Sequence, residues 1–361
     1  MIAALDFTAA DWERTARNWT AWWRGEIDRP MIVIEAMSDP RFSIETWTEH
    51  LTRYPFDVPP EQITARLASQ LERLWLFADA FPKWFPNFGP GVIAACLGSP
   101  VDASTGTTWF HPSALELSSP QLAFSAEAAW WQRVKAITEA GIRCWGSRVV
   151  VAHTDLGGNL DILASLRGTQ RLLHDLIDAP EEVETRLGQI TTTWLRYYQA
   201  FSRIVAATNR GASCWAPLWA PGKFYMLQSD FSCMISPSMF ERLVMPDLIE
   251  CCDELDYGFY HLDGKGQIKH LEMLLSIERL RGIQWVPGDG APPAEQWLPL
   301  LKRIRDSGKL CQVYVTLEGA LTIARALGGK GFAFCIPNGS YPSVDEAKTY
   351  CDALRAERLL D

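Results

Sequence analysis

The C-terminal third of the chain constrains the fold most tightly. Four short apolar runs, GFYHL, IQWVP, CQVYV and GFAFCI, alternate with stretches of helical spacing predicted over 266–277, 294–305 and 317–327. Apolar runs of this length bounded by turns fit strands buried on both faces, which arise when helices cover both sides of a parallel sheet. Ser343 and Glu346 have capping-box spacing ahead of a last helix.

The same logic runs upstream with more interruption. Residues 11–23 have helical character and carry Trp12, Trp19, Trp22 and Trp23, a stripe that reads as the packed face of a leading helix, with a ligand platform as the alternative. RPMIVIEA reads as a short strand. Helical spacing returns from Pro59 and stops at FPNFGPG. Residues 98–121 are polar, contain Trp109 and His111, and suit a lid or mouth loop. A helix predicted over 126–141 precedes the strand SRVVVAHTD. Residues 167–207 are helical in two pieces broken near Pro180. ASCWAPLWAPG reads as a strand and turn, and Ser236 with Pro237 opens a helix interrupted near Pro246.

Strand and helix units of this kind, with polar residues at the ends of widely separated strands, predict a (β/α)8 TIM barrel with N-terminal helical additions. Residues 1–80 would form a helical extension packed on a barrel of 81–361. An open doubly wound sheet is the alternative, although no GxGxxG or Walker A sequence supports one.

Composition removes several functions. Lys and Arg number 34 against 43 Asp and Glu, a formal charge of -9, and the cations form no block, so binding through phosphate neutralisation is disfavoured. The opening MIAALDFTAADWERTAR has early acids and no long apolar stretch, and nowhere does an apolar run reach membrane-spanning length. A soluble cytoplasmic protein is expected. Nine dispersed cysteines, an odd count, fit a reducing compartment. No CxxC, HExxH or GxSxG occurs.

The sharpest constellation is His261 and Asp263 in YHLDG with Cys335 in FAFCIPNG. Two residues apart on a strand, His261 and Asp263 share a face, and imidazole, carboxylate and thiolate suit Zn²⁺ with one position open for substrate. The plainer reading is a hydrogen-bonded strand end with a buried Cys. In VVAHTDLGGNLDILASLRG, His153 and Asp155 are catalytic candidates, Gly157 and Gly158 allow close backbone approach to a ligand, and Asp161 binds substrate or caps a helix. Asp230 in LQSDFSCMISP orients substrate or protonates an intermediate, or caps backbone, and Tyr225 places a phenol in a pocket or packs. Asn87 and His111 are candidates to contact a ligand from the pocket rim and the mouth loop, with a turn and a surface role as their alternatives.

At YHLDG, the Cys335 segment, FPNFGPGVIAACLGSP, TDLGGNLDILASLRG and SDFSCMISPSMFERLVMPDL, the chain resembles the uroporphyrinogen decarboxylase and cobalamin-dependent methyltransferase superfamily, from about residue 28 onward. The resemblance implies the barrel. It further implies a zinc enzyme in which a thiol acceptor takes a methyl group from methylcobalamin or another corrinoid, presented by a corrinoid carrier protein. The family's metal motif is His-x-Cys with a later Cys. His261 matches the first ligand and Cys335 the last, whereas Asp263 stands where the middle Cys would be. The decarboxylase members carry an arginine-rich MRQAGR signature that WWRGEIDRP, with Arg24 and Arg29, does not reproduce. Decarboxylation is the second reading, followed by an unassigned demethylase activity of the same superfamily, and a ligand-binding or assembly barrel without turnover is the alternative of a different class.

Overall fold

The computed structural model describes residues 1–38, 49–113, 115–119, 122–206, 208, 210–336 and 341–360. Its architecture is mixed α/β. An eight-stranded sheet runs in the order Ile2–Ala3, Leu74–Ala78, Met31–Met37, Phe332–Ile336, Leu310–Tyr314, Leu280–Val286, Tyr257–Asp263, Phe224–Gln228. The first two junctions are antiparallel and every later one is parallel. Lys83–Trp84 and Val150–Val151 make a separate two-stranded parallel sheet. Among the described residues no ladder joins the two sheets. Single backbone hydrogen bonds extend them instead, from Asp79 N–H to the Ile32 carbonyl at 2.8 Å and from His153 N–H to the Ser213 carbonyl at 2.8 Å.

The four C-terminal strands fall where the apolar runs predict them, and helices intervene at Leu271–Ser276, Leu298–Asp306 and Leu317–Leu327. The last helix, Val344–Ala356, opens on the predicted box: Ser343 Oγ accepts from Glu346 N–H and the Glu346 carboxylate accepts from Ser343 N–H. The breaks near Pro180 and Pro246 are present, at Ala179 and Val244. ASCWAPLWAPG is different. It forms a turn closed by one antiparallel bridge between Ala212 and Ala220, because its prolines remove the donors a longer ladder needs. Gln121, the end of the polar mouth-loop region, and residues 337–340 after the last strand lie outside the described residues.

The tryptophan stripe settles which strand ends the leading helix covers. The Ala9–Trp23 helix is capped by Thr8, whose hydroxyl accepts from Asp11 N–H, and it buries Trp12, Trp19, Trp22 and Trp23. The stripe is core, since each such side chain removes roughly 150–250 Å² from water, worth about 4–6 kcal/mol. Its indole N–H groups are not stranded: Trp22 donates to the Phe332 carbonyl at 3.0 Å and Trp23 to the Trp219 carbonyl at 2.8 Å. Trp23 also packs on Phe224 and Tyr257. Phe224, Tyr257 and Phe332 each begin a parallel strand, so this helix covers the amino-terminal ends and leaves the carboxyl ends to carry a site. No helix among the described residues is long and apolar enough to cross a membrane.

Candidate metal centre

Two neighbouring strands build the centre. In the parallel register Gln228, His261, Gln284 and Gln312 form one row across four strands, so their side chains share a face near the carboxyl ends. Asp263 lies two residues beyond His261, with its carboxylate Oδ2 at 4.0 Å from the imidazole Nε2. Asp230 follows the Phe224–Gln228 strand by two residues and opens the short helix Asp230–Met234. The ligand atoms of Asp230, His261 and Asp263 all lie within 4.8 Å of one another. Two carboxylates and an imidazole at that spacing are a donor set suited to a divalent cation.

Asp161 holds this arrangement from behind. Its two carboxylate oxygens accept from the backbone N–H groups of Asp230 at 3.0 Å and Phe231 at 2.7 Å. It therefore caps the turn that carries Asp230, one of the two roles predicted for it, applied to a different helix from its own. Burial, followed by repulsion from Asp230, raises the Asp161 carboxyl, and burial likewise raises that of Asp230. The glycines beside it serve backbone packing. A Cβ on Gly158 would sit 2.1 Å from the Gln228 carbonyl oxygen, and one on Gly157, at φ +84°, 2.8 Å from Gly91 Cα. Their close approach is to neighbouring backbone.

The centre borders a cavity of about 230 Å³ lined by Phe85, Asn87, Asp155, Trp215, Gln228, Asp230 and His261, among others. Asn87, Asp155, Asp230 and His261 were legible candidates, and all four reach it. Asn87 also accepts from Gly89 N–H at 3.0 Å, which shapes the rim. Asp155 accepts from Gly157 N–H at 2.8 Å, and burial, with Asp230 and Asp161 adding, pushes its carboxyl up to about 7. Trp215 stands edge-on to His261 with ring centroids 6.0 Å apart. Trp215, Gln228, Gln284 and Gln312 went unassigned in the sequence. A glutamine at the second position of each of the apolar runs IQWVP and CQVYV was the available signal, since an uncharged polar side chain in a doubly buried strand needs a partner.

Other candidates lie elsewhere. Cys335 is buried on the Phe332–Ile336 strand, with the Leu280–Val286 and Leu310–Tyr314 strands between it and His261. Its sulfur accepts from Gln312 Nε2 at 3.2 Å, and burial pushes the thiol up to about 12. Tyr225 is buried and its hydroxyl accepts from Leu156 N–H at 2.7 Å, bracing the loop that carries Asp155. His153 is stacked on Tyr198 at 4.8 Å, beside a second cavity, and burial pulls its imidazole down to about 4. His111 is exposed and faces Asp102 at 3.5 Å.

A region of a different character lies inside the sheet. Lys83 is buried and donates to the carbonyls of Cys214 at 3.2 Å and Trp215 at 2.7 Å. Burial lowers its pKa, opposed first by the Glu35 charge, while burial raises Glu35. Searches against protein-family models and curated proteins find no match to this chain, so the assignment of a function rests on the geometry above.

Proposed function

We propose that the chain is a divalent-metal enzyme, with zinc as the first expectation, that transfers a methyl group to a small thiol at the open end of a (β/α)8 barrel. The cluster of Asp230, His261 and Asp263 at the edge of the cavity carries this reading. Pairing of the early Met31–Met37 strand with the last strand, Phe332–Ile336, supports a sheet that curls toward closure.

The donors fit the metal in charge as well as spacing. A ligand set of one His and two Cys thiolates has one neutral and two anionic donors; His261 with Asp230 and Asp263 has the same count, with oxygen in place of sulfur. Asp230 takes the position that the family resemblance gave to Cys335. Oxygen donors leave the cation harder and a bound thiolate less electron-rich than sulfur donors do. A cation held there would lower the pKa of an incoming thiol.

The chain's own groups then have defined work. Asp161 fixes the Asp230 backbone, and Trp215 walls the cavity beside His261. Asp155, its carboxyl near 7, is matched to take the proton that the thiol releases. The sulfur–carbon bond forms as the cobalt–carbon bond of the donor breaks, with that bond's electron pair left on cobalt. The cavity is smaller than the roughly 300–1,000 Å³ typical of drug-sized ligands, so it takes the acceptor, and the corrinoid presents its methyl from outside, on a carrier protein or free.

Decarboxylation of a polycarboxylate is the weaker reading. The described lining of the cavity has two aspartates and no Lys or Arg, the reverse of what several substrate carboxylates need. The test is zinc content after purification and reconstitution, with turnover of methylcobalamin and a small thiol such as 2-mercaptoethanol followed by loss of the methyl-corrinoid spectrum. Stoichiometric zinc lost in D230A, H261A and D263A but kept in C335S, together with zinc-dependent turnover, is expected. Wild type that takes up no divalent metal overturns the proposal.

A further inference from the structure

A chain of side-chain hydrogen bonds leads inward from the centre. His261 Nδ1 meets the Gln284 carbonyl oxygen Oε1, Gln284 Nε2 meets the Gln312 oxygen Oε1, and Gln312 Nε2 meets the Cys335 sulfur at 3.2 Å. Both glutamines are fully buried. The Tyr314 phenol is a further partner of Gln284. The four members sit on four successive strands, and the row Gln228, His261, Gln284, Gln312 puts the first three on one level.

Each link in this chain has the same polarity. An amide oxygen only accepts and an amide nitrogen only donates, so a Gln284 oxygen facing Nδ1 requires the imidazole to carry its proton there. Nε2 is then left with its lone pair, on the side where Asp263 stands at 4.0 Å. We propose that Gln284 and Gln312 form a one-way amide relay that fixes His261 as its Nδ1–H tautomer and aims the Nε2 lone pair at the cation position between Asp230 and Asp263. Both are positioning residues.

Gln284 orients the imidazole directly, the part that a carboxylate or carbonyl commonly plays behind a metal-bound histidine. Gln312 acts at one remove. By accepting from Gln284 Nε2 it keeps the Gln284 amide from turning over, and a turned amide would offer Nδ1 a donor and force the proton to Nε2, where it would block the cation. Cys335 closes the relay as a sulfur acceptor. The cysteine that the family resemblance assigned to the metal thus reaches the centre through two amides.

The relay rests on the cation reading only in its purpose, and the two can be tested apart. In metal-free protein labelled with ¹⁵N-histidine at about pH 8, above the ordinary histidine range, two-bond ¹⁵N–¹H correlations report which ring nitrogen bears the proton; H261Q identifies the signal. Wild type is expected to show the Nδ1–H pattern for His261. Q284L and Q312L should shift it toward Nε2–H and weaken zinc binding about 10–100-fold in chelator competition. Q284E, which restores an acceptor facing Nδ1, should recover both readouts. That rescue separates positioning from a packing defect, and Q312L touches the imidazole only through Gln284. An Nε2–H pattern in wild type, or a folded Q312L with unchanged tautomer and zinc affinity, overturns the relay. Wild type that takes up no zinc yet shows an Nδ1–H pattern sensitive to Q312L keeps the relay and removes the cation.

Discussion

The mouth of the sheet and its interior hold the same kinds of polar side chain under different rules. At the mouth, Asp230, His261 and Asp263 face one another across a few ångströms, and Asp230 and His261 border the cavity. Inside, Lys83, Glu35 and Cys335 are surrounded by strands, and burial is the leading influence on every one of their ionisations. Burial raises Asp230 at the mouth too, but its carboxylate borders a cavity from which a ligand can answer the charge. A charge in the interior must be answered by the protein itself. The mouth should therefore govern metal and turnover, and the interior should govern stability.

The largest effect should come from Lys83→Met. Removing the ammonium takes the charged donor from the buried Cys214 and Trp215 carbonyls, two hydrogen bonds whose loss is expected to cost about 3–5 kcal/mol in denaturant unfolding. Zinc content per folded molecule should be unchanged; a simultaneous loss of metal would break the division between the two regions.

Gly158→Ala should cost about 1–3 kcal/mol, because its Cβ has no room against the Gln228 carbonyl at 2.1 Å. The displaced strand end leads directly into Asp230, so zinc affinity should fall as well. A single backbone change here thus reaches both regions, and calorimetric unfolding with and without zinc would show it.

The Asp155 carboxyl gives a pH signature at the mouth. Burial lifts it to about 7 in the folded chain, against about 3.9 for an unfolded Asp. Between those values the folded chain keeps a proton that the unfolded chain has released. The stability from this group is full below the lower value and is lost as pH rises through the upper one, by no more than about 1.4 kcal/mol per pH unit. Urea midpoints of metal-free wild type should fall across that window relative to Asp155→Asn. Parallel profiles would place Asp155 in water and end its role as the proton acceptor.

Cys335→Ser should have the smallest effect, within about 1 kcal/mol, since a hydroxyl can still accept from Gln312. Zinc and turnover should persist. Loss of stoichiometric zinc in that variant would return Cys335 to the metal and sharpen the comparison in the opposite direction.

What was legible divides along a physical line. Caps and periodicities are local, so the Ser343 box, the Leu317–Leu327 helix and the four C-terminal strands stood where the residues alone predict them. His261 with Asp263 was legible for the same reason, being two residues apart on one strand. The tryptophan stripe was legible as core because no other use of four neighbouring indoles removes as much surface from water. ASCWAPLWAPG was misread because its apolar content resembles a strand while its prolines forbid one.

The sequence by itself determined most of the elements and the polar residues at the strand ends, but the helical spacing running from Pro59 to FPNFGPG hides the strand Leu74–Ala78, which forms by pairing with Met31–Met37. Tertiary structure decided which of those residues meet. Asp230 joins His261 because the Phe224–Gln228 strand lies beside Tyr257–Asp263 in a register that sets Gln228 against His261, and Asp161 then ties down the turn that follows. Cys335 stays two strands away because Leu280–Val286 and Leu310–Tyr314 intervene, each contributing one glutamine to the gap. Strand order and register are set by packing over the whole chain, and no local spacing of residues encodes them.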